Sequence, residues 1–410
     1  MPQPTESAIE NARRRQPLEG VRVLDMATVL AAPFAASLCA DYGAEVVKLE
    51  LPDGSDPLRG LAPVKDGIAL YWKITNRGKR GISLDVRKPA GRELLLRMLP
   101  SFDVLVENFR SGTMDRWGLD AATLFAANPR LIVLRLTGFG QTGPYRDKPG
   151  FARVFEAMGG LAHLAGEADG PPMHMNFPMG DMIAGLFGGL GILAEIARLR
   201  GDPDAPGVEI DLSATEALLR VLEPLPVEYE QCGVARARNG NRATYTAPSN
   251  MYRSADGVWF TLVASSDPIF ARMSQALAMP ELAGDARFAT NPARVRNSEA
   301  LDAVLVDWFG ARSFAQVEAA LQPLGVPFSR VNSIAEVIRD PQVIAREAIV
   351  RLADPDLGSV PAPAVVPRVV GRPAPVQRSG PATGEHNAEF YRSLGLSAAE
   401  IDALRAQGVI

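Results

Sequence analysis

A strand–helix–strand pattern near the start of the chain constrains the fold most. The segments VRVLDMA (21–27) and AEVVKLE (44–50) have the composition of buried strands. Between them, PFAASLCADYG (33–43) has helical apolar spacing and ends at Gly43, a residue type typical of helix C-caps. Parallel strands need a long crossover connection, usually a helix, whereas antiparallel strands can be joined by a short hairpin turn. The pattern therefore predicts a βαβ unit in a parallel sheet.

The same alternation continues through the next part of the chain. Strand patterns at 81–86, 103–109 and 130–140 are interleaved with a helical pattern at 90–102. A further strand pattern at 207–213, after a long helical pattern over 181–200, is placed to close the sheet. These elements predict a doubly wound α/β domain of the Rossmann type. A GxGxxG fingerprint is absent after the first strand pattern, so a nicotinamide site is not indicated.

The character of the sequence changes after residue 245. A hairpin with its turn at Asp256-Gly257 is predicted over 251–264, and helices follow at 268–279, 297–310 and 313–322. The stretch 353–385 is rich in proline and glycine and is expected to be extended, ahead of a helix pair at 386–394 and 397–406. The predicted organisation is a polar tail (1–16), a large α/β domain (17–212), a linker (213–245), a small α+β domain (246–335), and a C-terminal linker that returns to the large domain (336–410).

Composition excludes several classes of function. The net charge of −4 gives no general electrostatic basis for binding nucleic acid. Two cysteines, Cys39 and Cys232, cannot build a disulfide framework or a cysteine zinc site, and the three histidines form no HExxH pair, so no metal site is predicted. Catalysis must therefore use carboxylates, hydroxyls, arginines and backbone amides.

Targeting and membrane signals are also missing from the sequence as given. The first 16 residues are polar, and the longest uncharged apolar run, 182–194, has 13 residues, where a membrane span needs about 20. We therefore expect a cytoplasmic protein without membrane contact.

Several segments, taken in order, resemble the class III coenzyme A (CoA) transferases of the formyl-CoA and carnitine-CoA transferase type. The resemblance runs from about Pro17 to the last residue. It is carried by the segments PLEGVRVLDMATVLAAPFAASLCADYGAEVVKLE, YWKITNRGKRGISLDV, DVLVENFRSGTMDRWGL, LTGFGQTGPY, GDMIAG, DPQVIAR and GEHNAEFYRSLGLSAAEIDAL. It implies a Rossmann-like large domain, a smaller domain and an interlocked homodimer.

The resemblance identifies Asp181, in MGDMIAG, as the nucleophile. Asp181 precedes an apolar run at the expected start of a helix, where the helix dipole and free amides favour an ionised carboxylate. From position alone, a simple N-cap role is the alternative.

The implied reaction passes through an aspartyl anhydride and an aspartyl-CoA thioester. It moves CoA from an acyl-CoA to a free carboxylic acid and needs no cofactor beyond CoA and its thioesters. Backbone amides at Gly138, Gly140 or Gly180 are candidates for stabilising the oxyanions. The glycine-rich loop that the family often carries in its small domain is not evident, since Arg238–Tyr252 contains only Gly240.

The resemblance also implies a CoA groove, whose phosphates require cations and amides. The matching positions are Thr28, Leu30, Ala31, Asn76, Arg77, Gly78, Lys79, Asn108, Phe109, Arg110 and Arg116. For NRGKR (76–80), a solvated turn is the alternative interpretation. Leu30 and Leu51 replace polar or basic residues of the formyl-CoA type, which suggests a different acid pocket.

Several alternatives remain open at this stage. His163 and His174 flank the stretch before Asp181, but loop histidines usually make local hydrogen bonds. The apolar stripe Leu186–Leu193 is expected to be core, and the glycines within it suggest close approach of another backbone or of the pantetheine arm. An α-methylacyl-CoA racemase is the nearest rival, although its histidine is missing from Gly150–Arg153. An intramolecular CoA transferase, a lyase and a non-catalytic CoA-binding protein are further alternatives.

Overall fold

The computed structural model describes residues 15–375 and 377–410. The predicted polar tail, 1–16, therefore lies almost wholly outside the described residues. The contacts divide the chain into two compact units. The first contains residues up to Leu161, His174–Val227 and Glu347–Ile410, and the second contains Ala162–Met173 and Glu228–Arg346.

The strands of the described residues are mostly short. They are β1 (Arg22–Asp25), β2 (Glu45–Glu50), β3 (Val64–Lys65), β4 (Ile68–Ala69), β5 (Lys79–Ser83), β6 (Val104–Glu107), β7 (Ile132–Thr137), β8 (Val208–Ser213), β9 (Ser249–Arg253), β10 (Trp259–Val263), β11 (Phe328–Arg330), β12 (Ile349–Asp354) and β13 (Gly358–Pro363).

The helices of the described residues range from single turns to one of 23 residues. They are α1 (Ala31–Asp41), α2 (Leu70–Thr75), α3 (Pro89–Met98), α4 (Thr113–Arg116), α5 (Ala121–Ala127), α6 (Ala152–Met158), α7 (Leu161–Leu164), α8 (Met179–Gly201), α9 (Ala214–Val221), α10 (Pro224–Cys232), α11 (Asp267–Ala276), α12 (Glu281–Gly284), α13 (Asn291–Arg296), α14 (Ser298–Gly310), α15 (Phe314–Leu321), α16 (Ile334–Val337), α17 (Pro341–Ala345), α18 (Asn387–Ser393) and α19 (Ala398–Ala406).

The first unit is built on a parallel sheet. Its six strands lie in the order β5-β2-β1-β6-β7-β8, and every pair of neighbours is parallel. Counted along the sheet strands alone, this is the 3-2-1-4-5-6 order of the Rossmann type, which confirms the predicted fold class. The order reverses between β1 and β6, so a crevice is expected at the carboxyl ends of these two strands.

Helices cover both faces of this sheet. Alternate side chains of each strand face opposite sides, so Val23 of β1 packs towards α1, α8 and α9, whereas Leu24 packs towards α3, α18 and α19. Burial of both faces explains why the central strands β6 and β7 have nearly continuous apolar sequences.

Glycines bring α8 close to α1. A Cβ on Gly185 would lie 2.5 Å from the carbonyl oxygen of Ala31, and one on Gly188 would lie 3.1 Å from Cβ of Ala35. The close approach of another backbone, one of the two explanations expected for these glycines, is therefore confirmed. By length and composition alone α8 could also cross a bilayer, yet it packs against α1 and the sheet, as a core helix does.

The second unit has its own core. The antiparallel sheet β11-β10-β9 contains the predicted hairpin, with Trp259 opposite Arg253 across the turn at Asp256-Gly257. Phe260 of β10 is fully buried and its ring contacts that of Phe309 in an edge-to-face arrangement.

Three segments differ from expectation. The stretch 353–385, expected to be extended, takes part in the β12–β13 hairpin, whose Leu352 and Val360 are buried together. Residues 213–245, predicted as a linker with a helical pattern over 213–233, contain α9 and α10, and Leu218 of α9 is buried in the core of the first unit rather than in a free linker. In the stripe expected to be core, Leu186 and Leu190 are 53% and 61% exposed, because they lie on the face of α8 turned away from α1.

Candidate active site

A cavity of about 200 Å³ opens at the carboxyl ends of the parallel strands. The loops after β1, β6 and β7 line it, together with the start of α8, which is the crevice position expected for this strand order. Its lining residues are Thr28, Val29, Leu30, Ala31, Asn108, Phe109, Arg110, Leu136, Thr137, Gly138, Arg146, Lys148, Pro149, Gly150, Phe151, Phe155 and Asp181. The cavity therefore brings together eight of the predicted site residues: Thr28, Leu30, Ala31, Asn108, Phe109, Arg110, Gly138 and Asp181.

The loops after β1 and β6 are held to each other by a reciprocal pair of hydrogen bonds. The Thr28 amide donates to Oδ1 of Asn108 at 2.8 Å, and the Asn108 side-chain amide donates to the Thr28 carbonyl at 2.8 Å. The next residue, Val29, has a φ of 65°, a costly conformation for a β-branched residue, and its amide donates to Oδ1 of Asp56 at 3.1 Å. Such local strain indicates a loop whose shape is fixed by its surroundings.

Asp181 lies in the first turn of α8 and is 8% exposed. No hydrogen bond to its carboxylate is found among the described residues, so the oxygens are not engaged by an internal donor. Burial, and after it the charge of Glu156, raises the pKa of Asp181 to about 7. Burial and the neighbouring carboxylate therefore act against the ionised form, in the opposite direction to the effect expected from the helix end.

Glu156 of α6 connects two segments next to Asp181. Its side chain is buried, its Oε1 accepts a hydrogen bond from the Gly180 amide at 2.9 Å, and its Oε2 lies 2.9 Å from Nδ1 of His174. Gly180 permits this approach, because a Cβ there would lie 3.0 Å from the carbonyl oxygen of Ala152. The Gly180 amide is thus already used within the protein, and its predicted role as an oxyanion donor is not supported.

Three cationic side chains line the same cavity. Arg110 has no ion-pair partner within the described ranges, and Arg146 approaches only the exposed Asp147, at 3.4 Å. The ammonium of Lys148 lies 3.4 Å from the ring centroid of Tyr145. None of these cations is neutralised by a buried carboxylate, so they are available to an anionic ligand.

The NRGKR segment is not a solvated turn. Arg77 donates two hydrogen bonds to the buried Asp41, and the fully buried Nζ of Lys79 donates to Asp25 at 2.7 Å and to Asn76 at 2.9 Å. The Lys79 pKa is lowered to about 8, chiefly by burial. Residues 76–79 do not line the Asp181 cavity, and the cations of Arg77 and Lys79 are already paired, so their predicted contacts with CoA phosphates have no support here.

Two further predicted residues lie outside the cavity lining. The exposed Arg116 donates to Oγ1 of Thr113 at 2.8 Å. Gly140 has a φ of 83°, which suits glycine in the turn after β7, and a Cβ there would lie 3.4 Å from Asp211. Gly138 is therefore the one of the three oxyanion candidates that lines the cavity.

The histidines have different surroundings. Nδ1 of His386 accepts a hydrogen bond from the Gly81 amide at 3.0 Å, which ties the C-terminal segment to β5. His163 lies 3.4 Å from Arg238, within the second unit. Among the described residues, no group of three or more His, Cys, Asp or Glu side chains is arranged to hold a metal ion.

Sequence reasoning missed Glu156, Arg146 and Lys148. One weak signal for Glu156 was available: it is an acidic residue between the apolar residues Phe155 and Ala157 of a short helix. Its partners, Gly180 and His174, are 24 and 18 residues away and carry no spacing signature. Arg146 and Lys148 lie in a loop, and only the course of that loop brings them to the cavity.

Comparison with known proteins identifies a family and several similar enzymes. The family described as CoA-transferase family III matches residues 18–387. A succinyl-CoA–D-citramalate CoA-transferase of Chloroflexus aurantiacus is 41% identical over 98% of this chain and 100% of its own length. A succinate–glutarate CoA-transferase of Agrobacterium fabrum is 34% identical over 93% of this chain and 96% of its own. An acetyl-CoA:oxalate CoA-transferase of Acetobacter aceti is 33% identical over 90% of this chain and 93% of its own.

A solved structure is also similar. The crystal structure of a CAIB/BAIF family protein from Brucella suis superposes with a TM-score of 0.81 at 34% identity, covering 93% of this chain and 100% of that one. The sequence match spans nearly the whole chain, and the three relatives named above are CoA-transferases. The chain therefore belongs to CoA-transferase family III, and its activity is CoA transfer.

Proposed function

We propose that this chain transfers CoA from succinyl-CoA to a second short dicarboxylic acid, with Asp181 as the covalent carrier. The observation that carries the proposal is the position of Asp181: it is buried in the cavity at the reversal of strand order, and none of the described residues donates a hydrogen bond to its carboxylate. A carboxylate in such a place is free to attack a bound thioester.

The reaction proceeds in four displacements. An oxygen of Asp181 attacks the thioester carbonyl, the carbon–sulfur bond breaks, and CoA leaves as the thiolate. The thiolate attacks the aspartyl carbonyl and releases the donor acid, leaving an aspartyl-CoA thioester. The acceptor carboxylate attacks the carbonyl of this thioester, the carbon–sulfur bond breaks, and a second anhydride forms as the CoA thiolate is released again. The thiolate then attacks the acceptor carbonyl and releases Asp181 as the carboxylate. Every step is a nucleophilic displacement, so the proposed reaction uses no cofactor beyond CoA.

Each tetrahedral intermediate requires hydrogen-bond donors. The backbone of Gly138 and of the loop Thr28–Ala31 lies in the same cavity lining as Asp181, which supports a role for these amides. The reciprocal hydrogen bonds between Thr28 and Asn108 hold that loop in place before substrate binds, so little reorganisation is required during the reaction.

The cations that line the cavity favour binding of two anionic substrates, CoA and a dicarboxylic acid. CoA carries phosphate groups, and a dicarboxylic acid retains one carboxylate while the other reacts. Arg110, Arg146 and Lys148 supply positive charge for these groups in a cavity that also contains the nucleophile. The acids named for the relatives, citramalate, glutarate and oxalate, are dicarboxylic acids as well.

The proposal also covers the oligomeric state of the enzyme and its location in the cell. We expect a homodimer in the cytoplasm, because CoA thioesters are intracellular substrates and α8 presents Leu186 and Leu190 at the surface of the first unit. The mass of the purified protein in solution tests the dimer.

A substrate panel tests the acids. Succinyl-CoA is offered with D-citramalate, L-malate, glutarate or oxalate, and with butyrate as a monocarboxylic control close in length to succinate. CoA esters are measured by mass spectrometry. The proposal predicts that at least one dicarboxylic acid is converted much faster than butyrate. Equal or faster conversion of butyrate contradicts the proposed preference for dicarboxylic acids. The role of Asp181 is tested separately, by its replacement with Asn.

A further inference from the structure

The surroundings of Glu156 suggest a role that goes beyond the nucleophile itself. Glu156 lies on α6, His174 lies in the segment before α8, and Gly180 belongs to the first turn of α8. One buried carboxylate therefore contacts both the amide of the residue preceding Asp181 and an imidazole that is about one-third exposed.

The geometry is that of a support for the nucleophile. Both carboxylate oxygens of Glu156 are engaged, Oε1 by the Gly180 amide and Oε2 by Nδ1 of His174, each at 2.9 Å. A carboxylate held at both oxygens has a fixed orientation, and a hydrogen bond to the Gly180 amide restrains the backbone that carries Asp181. Catalytic groups require this kind of restraint, because small displacements of a reacting atom greatly reduce the rate.

The charge of Glu156 is equally important. A buried negative charge near Asp181 raises the free energy of the free Asp181 carboxylate, because two like charges repel strongly in a poorly solvated site. When Asp181 bonds to the thioester carbonyl carbon and the carbon–sulfur bond breaks, the negative charge leaves the aspartate and appears on the CoA thiolate. The repulsion by Glu156 is then relieved, so the acylated form of Asp181 is stabilised relative to the free carboxylate.

We propose that Glu156 is a positioning residue for CoA transfer: it fixes the start of α8 through the Gly180 amide, and its buried charge favours acylation of Asp181, while His174 offsets part of that charge. This inference rests on the proposed function, since it requires Asp181 to be the nucleophile. The raised pKa of Asp181, of which Glu156 is the second cause after burial, is consistent with it.

The other charges around α8 are already neutralised or lie at the surface. The cavity cations Arg110, Arg146 and Lys148 face the substrate side. On the elements packed against α8, the charged groups with internal partners are Asp41 with Arg77, Arg135 with Glu107 and Glu209, Asp211 with the Gln141 amide, and Arg220 with Glu223. Arg153 and Glu216 are exposed. Glu156 is therefore the buried anion that distinguishes the surroundings of Asp181.

The test compares Glu156→Gln with Glu195→Gln, which removes a carboxylate from a partly exposed ion pair further along α8. The pH profile of kcat and the fraction of enzyme carrying a covalent adduct at Asp181, after mixing with succinyl-CoA alone, are measured for both. E156Q is expected to lower the midpoint of the pH profile by about one unit and the adduct fraction at high pH several-fold. E195Q is expected to match the wild type in both measurements.

An E156Q enzyme that is merely slower, with an unchanged midpoint and adduct fraction, overturns the proposal, because a purely structural role scales the rate without moving the profile. Glu156→Asp retains the charge with a shorter reach, so it is expected to keep the midpoint near that of the wild type while kcat falls. A midpoint that falls in E156D as far as in E156Q also overturns the proposal.

If E156Q does not fold, the pH profile of kcat is measured for His174→Leu instead. The loss of His174 leaves the charge of Glu156 less offset, so the midpoint is expected to rise, and an unchanged midpoint overturns the proposal. Failure of the underlying function is distinguishable, since Asp181→Asn would then retain exchange. An unmoved E156Q midpoint together with an inactive D181N removes the role of Glu156 alone.

Discussion

The guanidinium of Arg77 donates two hydrogen bonds to the buried carboxylate of Asp41, at 3.0 and 2.6 Å. This pair joins the end of α1 to the turn before β5, and a side-chain amide, that of Gln377, also donates to Asp41 at 2.9 Å. Arg77 therefore serves the fold of the large α/β unit. Arg110, by contrast, lines the Asp181 cavity and has no internal ion-pair partner among the described residues.

Replacing these two arginines is expected to have opposite consequences. Arg77→Ala leaves a buried carboxylate unpaired, which costs about 3–5 kcal/mol of unfolding free energy. Arg110→Ala removes an exposed cation, so stability is expected to change by less than about 0.5 kcal/mol, while the loss of a charged contact raises KM for acyl-CoA about tenfold or more. Urea unfolding and steady-state kinetics on both variants check this. A stable R77A enzyme with a selectively raised KM would show that the sequence-based assignment of Arg77 to the CoA groove was right.

The glycines of α8 give a second matched pair. A Cβ at position 185 would lie 2.5 Å from the Ala31 carbonyl oxygen, so Gly185→Ala is expected to separate α8 from α1 and to cost about 1–3 kcal/mol. At position 191 the nearest atoms are side-chain carbons of Ile210 at 3.6 Å, which is ordinary contact. Gly191→Ala is therefore expected to stabilise the protein by about 0.5–1 kcal/mol through helix propensity. Thermal unfolding of both variants measures this, and equal shifts would disprove the proposed difference in packing.

The burial of Asp181 has a cost for stability. Its pKa is about 7 in the folded protein, against an ordinary value of 3.8, so between these values the folded state keeps a proton that the unfolded state has lost. The free energy of unfolding therefore falls as pH rises through this window, by up to about 4 kcal/mol from this group. Because Asn does not ionise, Asp181→Asn is expected to exceed the wild type in stability at pH 8 by up to that amount.

At pH 4 the two proteins are expected to be nearly equal in stability. Urea unfolding at both pH values provides the comparison, with Glu195→Gln as the control. The buried Glu107, whose pKa is also raised to about 7, contributes to wild type and variant alike and cancels in the difference. A D181N protein that is less stable than the wild type at pH 8 would refute the account of Asp181 as a strained, desolvated group.

The proposed reaction depends on the same ionisation in the opposite sense. If Asp181 is the nucleophile, only its carboxylate form attacks, so the rate of transfer is expected to rise with pH and to level off above about 7. Initial rates between pH 5 and 9, at saturating substrates and constant ionic strength, measure this. A rate that is already maximal at pH 5 would mean that the ordinary pKa of an aspartate applies and that burial has no effect.

The fold of the first unit could be predicted from the sequence because it depends on local patterns. The apolar strands at 21–27 and 44–50, and the helix between them, have periodicities that determine element type and a parallel sheet. Asp181 could be identified as the candidate nucleophile because the residues around it resemble a family motif. The hairpin β12–β13 was missed, since β13 contains Pro361 and Pro363, which argue against a strand.

The environment of each site residue could not be predicted in the same way. Arg77 and Lys79 lie in a segment with the composition of a surface turn, yet Asp41 and Asp25 come from distant parts of the sequence and bury them. The helix position of Asp181 suggested a low pKa, but its desolvation and the proximity of Glu156 are properties of the tertiary structure.

The central claim is that the carboxylate of Asp181 exchanges an oxygen with the donor and acceptor acids during each turnover. In the proposed displacements the acceptor carboxylate leaves one of its oxygens on the aspartate, because the final anhydride is cleaved at the acyl carbon. An acceptor acid labelled with ¹⁸O in its carboxylates is incubated with enzyme and succinyl-CoA, and the peptide containing Asp181 is weighed by mass spectrometry. The account predicts ¹⁸O at Asp181 that accumulates with turnover and is absent without succinyl-CoA. Full turnover without label at Asp181 would contradict it.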